Sequence, residues 1–377
     1  ILDNNGANAL NLRASGLRMV SGGIIGGADL AGSVDSNANA LDMEVGTLAA
    51  KSERGIYLQE LASGGDLTIG HVEGSAAVAV SQVRFNSTTT AMTAGDNDLQ
   101  PLDDLETTAG PIKVVVRGGN LIVNDGTDAD GIGVRAAGAS DILLWASANL
   151  DINAQVFSNG GHVSLQAGND VDLDARVSTT GTGSVYIAGR DVIVNATVDT
   201  TGGDQLVSAT RDLQVNAALT SATGSIGLLA GRDLNQTANV TAGSDVLIDV
   251  TRNYTQSSGT SITAGEIIQL TSGGSQLIGL LSAGHIALDA GGDILDNNGA
   301  NTLNLRASSL RMVSGGIIGG ADLANAVDSN SNALDMEVGT LAAQSAHGIY
   351  LQELASGGDL TIGHVEGSAS GRRVAGS

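Results

Sequence analysis

The chain has no cysteine, only two prolines, and only one tryptophan, four tyrosines and two phenylalanines. Without cysteine there is no disulfide framework and no thiolate metal site. That composition also suits a bacterial protein exported across membranes unfolded. Without rings, the interior must be filled by aliphatic and small side chains. Basic residues are scarce too: 17 Lys and Arg stand against 40 Asp and Glu, giving a net charge of −23. Such a surface repels phosphate backbones and anionic lipid, so nucleic acid is excluded as a partner, and it attracts cations. No run of about 20 apolar residues occurs, so membrane insertion by this segment is not expected.

What is abundant is glycine, 54 residues in 377, and a short repeated phrase. Val163-Ser-Leu165, Ala167-Gly-Asn-Asp170 and Val171-Asp-Leu173-Asp-Ala175-Arg-Val177 are followed by Val185-Tyr-Ile187, Ala188-Gly-Arg-Asp191 and Val192-Ile-Val194-Asn-Ala196-Thr-Val198. Read by eye, later copies open at Leu206, Ile226, Val246, Ile267 and Ile286, at spacings of 22, 21, 20, 20, 21 and 19. A period near 20 residues marks a solenoid, in which each repeat buries its apolar face only against its neighbours. Apolar and polar residues alternate, which is the strand period, and Gly, Asn, Asp, Ser and Thr break the runs. Two helices do not fit in 20 residues, but two or three short strands do. The expected fold is therefore all-β: a right-handed parallel β-helix (β-solenoid) with about 20 residues per coil. Recurrent Arg190-Asp191, Arg211-Asp212, Arg232-Asp233 and Arg252-Asn253 read as exposed turns stacked on one edge. Trp145 and Tyr186 fall at outward phases.

A longer repeat lies above the short one. Ile1 to Ala76 returns as Ile294 to Ala369, offset by 293, with eight differences in 76 positions. They are Ala9/Thr302, Gly16/Ser309, Gly32/Asn325, Ser33/Ala326, Ala38/Ser331, Lys51/Gln344, Glu53/Ala346 and Arg54/His347. None replaces a large aliphatic. Residues 1–377 are thus expected to be one continuous β-solenoid, a fragment of a tandem array of 293-residue repeats. Within it, 84–110 reads as an irregular loop excursion, the longest break in the phrase. Ser33 to Asn39 reads as a protruding loop, and Ser370 to Ser377 as a tail that leaves the pattern.

For chemistry the sequence offers little. Gly-x-Ser-x-Gly, His-Glu-x-x-His and the P-loop are absent, and positions that hold His162 and His285 hold Ser, Gln or Glu in other coils. No catalytic residue and no cofactor are expected. The one metal reading is calcium at the loop holding Asp125, Asp128 and Asp130, since Asp-rich glycine turns supply the hard oxygens it needs. The loop lacks the spacing of an EF-hand, with Ala137 where a bidentate Glu belongs, and the bland reading is a solvated acidic loop.

The phrases VSLQAGNDVDLDARVST (Val163–Thr179) and VYIAGRDVIVNATVDT (Val185–Thr200) resemble the haemagglutinin-type repeats of filamentous-haemagglutinin-like bacterial exoproteins. The resemblance covers 112–293 well and the two 76-residue modules loosely. It implies a β-helical shaft, exported and held at the cell surface, and working in adhesion or as a stalk. The family's amino-terminal secretion domain is not present in this stretch. The expected role is a structural and adhesive rod segment of a large bacterial cell-surface or secreted protein. Its expected partners are neighbouring repeats, further copies laterally or end to end, and cell-surface glycans or proteins. The alternatives are a self-assembling extracellular filament or sheath subunit and, from another class, a carbohydrate-active β-helix enzyme.

Overall fold

A computed structural model describes residues 1–28, 39–74, 78–94, 100–320 and 332–366. The loop expected from Ser33 onward (up to Ala38) and the tail from Ser370 lie outside the described residues. Those described form strands and turns, with no helix. The fold is a parallel β-helix, and it divides into two compact units, Ile1–Phe157 and Ser158–Ser377.

In the second unit each coil from Val163 to Ser282 has three short strands. Val163–Ala167, Val171–Leu173 and Val177–Thr179 form one coil. Val185–Gly189, Val192–Val194 and Val198–Thr200 form the next. Every strand pairs in parallel with its counterpart one coil on, as in Val163↔Val185, Val171↔Val192 and Val177↔Val198. Alternation then places Val163, Leu165, Val171, Leu173 and Val177 inside with no exposure. Each such burial contributes about 1.5–3 kcal/mol.

The ladder continues Val185↔Gln205↔Ile226↔Val246↔Ile268↔Ile286. Two coils therefore sit one residue away from the register expected from the phrase: Gln205 points inward in place of Leu206, and Ile268 in place of Ile267. The inward Gln205 is held there by its Nε2, which donates to the Thr220 carbonyl at 2.6 Å and the Val198 carbonyl at 3.1 Å, while its buried Oε1 meets no donor. That register keeps Val207 and Ala209 buried below it, and a slip of one residue would turn both out.

Polar groups inside the coils are matched to backbone at the corners. Thr179 Oγ1 donates to the Gly161 carbonyl at 2.6 Å, and Ser221 Oγ to the Gly203 carbonyl at 2.9 Å. The buried Tyr254 hydroxyl donates to Gln236 Oε1 at 2.7 Å, and Gln256 Oε1 accepts the Gly279 amide at 3.0 Å. The corner glycines stack so closely that a Cβ on Gly203 would lie 1.9 Å from the Gly183 carbonyl oxygen. Only a residue without a side chain fits there.

The first unit opens with the 76-residue module. Leu12–Ser21 pairs with Leu41–Ser52, which pairs in turn with Gly55–Glu60 and Leu67–Ile69. Ile112–Val116 then lies on Gly55–Glu60, Leu121–Val123 on Leu67–Ile69, and Leu105–Thr107 on Ala50 to Ser52. Between module and coils the chain leaves the wall. Val78–Val83 and Thr89–Ala94 form an antiparallel hairpin, separate from the large sheet. Val72 and Leu102 bridge the base of the excursion, donating to each other's carbonyls at 2.8 and 3.0 Å. Val80, Val83, Phe85 and Met92 on the hairpin are exposed. Leu105–Thr107 already belongs to the wall, so coiling resumes inside the stretch read as irregular from the sequence.

The second unit ends with the other copy of the module in the same register: Leu12↔Met43 is matched by Leu305↔Met336, and Ile24↔Gly55 by Ile317↔Gly348. Among the described residues, the two copies thus build matching strand pairings in two separate settings.

Candidate metal centre

The exit from the hairpin and the next turn bring acidic residues together. The Val72–Leu102 bridge fixes where the chain re-enters the wall, and Leu105–Thr107 then pairs with Val134, Arg135 and Ala136. Asp103 and Asp104 lie just before that strand, and the Asp125–Gly131 turn lies just before its partner Ile132–Ala136. The pairing therefore sets the two segments side by side. Asp104 adopts a left-handed backbone (φ 66°).

Asp104, Asp125, Asp128 and Asp130 each aim one carboxylate oxygen into a common space, all four within 4.8 Å of one another. Asp128 and Asp130 are exposed, Asp125 is half-buried, and Asp104 is only 8% exposed. Oδ1 of Asp104 and Oδ1 of Asp125 are buried and meet no donor. The other contacts hold the turn in shape: Asp125 Oδ2 accepts the Gly131 amide at 3.2 Å and Asp130 Oδ1 that of Ile132 at 2.8 Å. Gly131 is itself left-handed (φ 79°). A concavity of about 230 Å³ opens beside the cluster, with Lys51 and Arg135 on its wall. Lys51 pairs with Glu106 at 2.6 Å and leaves Asp104 Oδ1 unmatched.

The electrostatics follow from this placement. Burial, followed by the charges of Asp128, Asp130, Asp103 and Asp125, pushes the Asp104 carboxyl up to about 7. Burial and Asp130 also raise Asp128. Asp103 faces the other way. Burial opposes its charge, but the Thr127 amide (2.8 Å) and His71 (2.8 Å) outweigh that and hold its carboxyl below the ordinary range. The Asp103 hydrogen bond, helped by Glu73, raises His71. Position 126 must be glycine for this to fit, because a Cβ there would lie 2.0 Å from Asp103 Oδ1.

Asp125, Asp128 and Asp130, the residues singled out in the sequence, are thus brought together. Asp104 and the Asp103–His71 brace were not anticipated. The signal available was an acidic pair standing one coil upstream of the Asp-rich turn.

The other histidines are dispersed. His162 Nδ1 accepts the Ser184 amide at 3.1 Å, and His285 meets Ser309 Oγ at 2.6 Å. His364, the twin of His71, borders a groove of about 620 Å³ with Asp289, Arg311 and Gln344. In the first module Arg18, the twin of Arg311, instead donates to the Gln100 carbonyl at 2.8 Å. The segment leading into Leu105–Thr107 occupies there what is open groove in the second copy. Compared with family models, curated proteins and solved structures, the chain matches none of them.

Proposed function

We propose that the chain is a structural and adhesive shaft segment of a large bacterial surface or secreted protein, whose 293-residue repeats stack coil on coil. The phrase of Val163–Thr200 supports this through its resemblance to filamentous-haemagglutinin-like repeats. The observation that carries it is internal to the molecule. In the first module Ile56 and Ile69 have no exposure, because Ile112–Val116 and Leu121–Val123 lie on them. Their twins Ile349 and Ile362 are 44% and 73% exposed. Conversely Ile294 is buried against the preceding coil through Gln276, while its twin Ile1 is half exposed. The same residues thus present a seat that, in the first copy, a coil of the 100–123 kind fills. In this reading the exposed hairpin around Phe85 is the contact-bearing element carried on the shaft.

The test replaces residues 370–377 by residues 77–123, which follow the equivalent Ala76 in the first copy. The added segment is expected to seat on Ile349 and Ile362, resist protease and raise the melting temperature. Cleavage of the segment at the rate of an unfolded chain, with melting unchanged, contradicts the reading. The same exposed faces favour a second reading, in which separate copies fill one another's seats as a filament. Concentration-dependent sedimentation of the parent chain, abolished by the added segment, would identify it. The groove beside Arg311 lies where, in the first copy, Gln100 meets Arg18, so in this reading the next segment of the chain fills it and the carbohydrate-active alternative has no cleft of its own there.

A further inference from the structure

We propose that Asp104, Asp125, Asp128 and Asp130 form a calcium site that ties the Asp125–Gly131 turn to the base of the hairpin excursion. Four carboxylates alone do not make a site, since exposed acids commonly crowd turns. The second observation is Asp104. It is more than nine-tenths buried, its Oδ1 meets no donor, and that carboxylate shares its space with the other three. A buried carboxylate without hydrogen bond or counter-charge is costly, and paired charges or metal coordination are the usual remedies. Here the nearby lysine is committed to Glu106. Asp125 Oδ1 is buried and unmatched in the same way.

The chemistry selects the ion. All four donors are hard carboxylate oxygens, with no imidazole or thiolate among them, which disfavours zinc and copper. The four oxygens lie no more than 4.8 Å apart, which admits one ion with ligands at about 2.4 Å, the calcium range. Magnesium, with ligands near about 2.1 Å and a strict octahedron, would draw the carboxylates closer and keep more water. The remaining calcium positions fall to water on the exposed Asp128–Asp130 side. The site depends on residues from segments on either side of Leu105–Val134 pairing, so it exists only when this coil is folded. Asp103 is excluded from it by its bonds to His71 and Thr127.

The purified chain is titrated with calcium chloride by calorimetry at pH 7.5, with magnesium chloride as comparison, and its melting is followed with each. Wild type is expected to bind one calcium saturably, at least tenfold more tightly than magnesium, and to melt higher when loaded. The variant Asp128→Asn/Asp130→Asn alters only exposed side chains and is expected to fold and to lose calcium affinity at least tenfold. Asp104→Asn is expected to melt higher than wild type without metal and to lose the calcium-dependent rise. The proposal is overturned if wild type shows no saturable calcium heat at millimolar concentration. Equal calcium and magnesium affinity overturns it too, as does undiminished calcium binding by the double variant. None of these outcomes bears on the seat at Ile349 and Ile362, so the site and the shaft reading stand or fall separately.

Discussion

Glu60 shows how much a single side chain is made to carry. It has no exposure, its Oε1 accepts the Val45 amide at 2.8 Å, and its Oε2 meets no donor. It fits because residue 64 is glycine: a Cβ there would lie 1.6 Å from Oε1. Burial is the main cause that pushes its carboxyl up from 4.5 to about 7. The folded value lies above the unfolded one, so Glu60 stabilises fully below about pH 4.5, and that contribution is lost as pH rises through about 7. The loss is on the order of 3 kcal/mol. The variant Glu60→Gln keeps the acceptor for Val45 and cannot ionise. Its melting temperature is expected to fall less than that of wild type between pH 5 and pH 8. Parallel declines in the two proteins would show that Glu60 remains neutral or is solvated. Its twin Glu353 makes the same bond, to the Val338 amide at 3.1 Å, and burial raises it as well.

At the scale of the element, the ion pairs on the turns look like a stabilising device but are not the main one. Each arginine reaches back one coil: Arg190 to Asp170 at 2.6 Å, Arg211 to Asp191, Arg232 to Asp212, and Arg252 to Asp233 at 3.0 Å. The arginine side chains are 42–57% exposed, and such pairs are worth about 0–1 kcal/mol each. Arg211→Ala is therefore expected to shift the denaturation midpoint only slightly, and by still less at 1 M salt, as read by chemical denaturation. A cost comparable to removing an inward aliphatic such as Leu228, about 2–5 kcal/mol, would contradict this.

The coil strands were legible because an inward Val or Leu returns at a fixed phase, as in Val163, Val185 and Ile226. Register was not legible where two aliphatics are adjacent. At Leu206-Val207 and Ile267-Ile268 hydropathy cannot say which residue faces in. At the first the answer rests on the Thr220 carbonyl, 15 residues away in sequence, which accepts from Gln205 Nε2. The turn acids Asp125, Asp128 and Asp130 stood out by local spacing. Asp104 did not, because it joins them only through the Leu105↔Val134 pairing. The hairpin of Val78–Val83 and Thr89–Ala94 was hidden by the Ser- and Thr-rich run Ser87 to Thr90 at its turn and in its second strand, which reads as loop.

At the scale of the molecule, the shaft proposal requires that long repeats add coils in one direction. Coils pair at about 4.8 Å, so 293 residues in about 14 coils add about 60–70 Å. In the proposed shaft the 68 identities between the modules would let each junction repeat the last, and the net charge of −23 would oppose lateral aggregation of such bodies. The most direct measurement is electron microscopy of proteins carrying one, two and three complete 293-residue repeats. Unbranched rods of constant width are expected, lengthening by about 60–70 Å with each repeat. Particles that grow as separate beads at irregular spacing, or that keep their length while thickening, would contradict the shaft proposal.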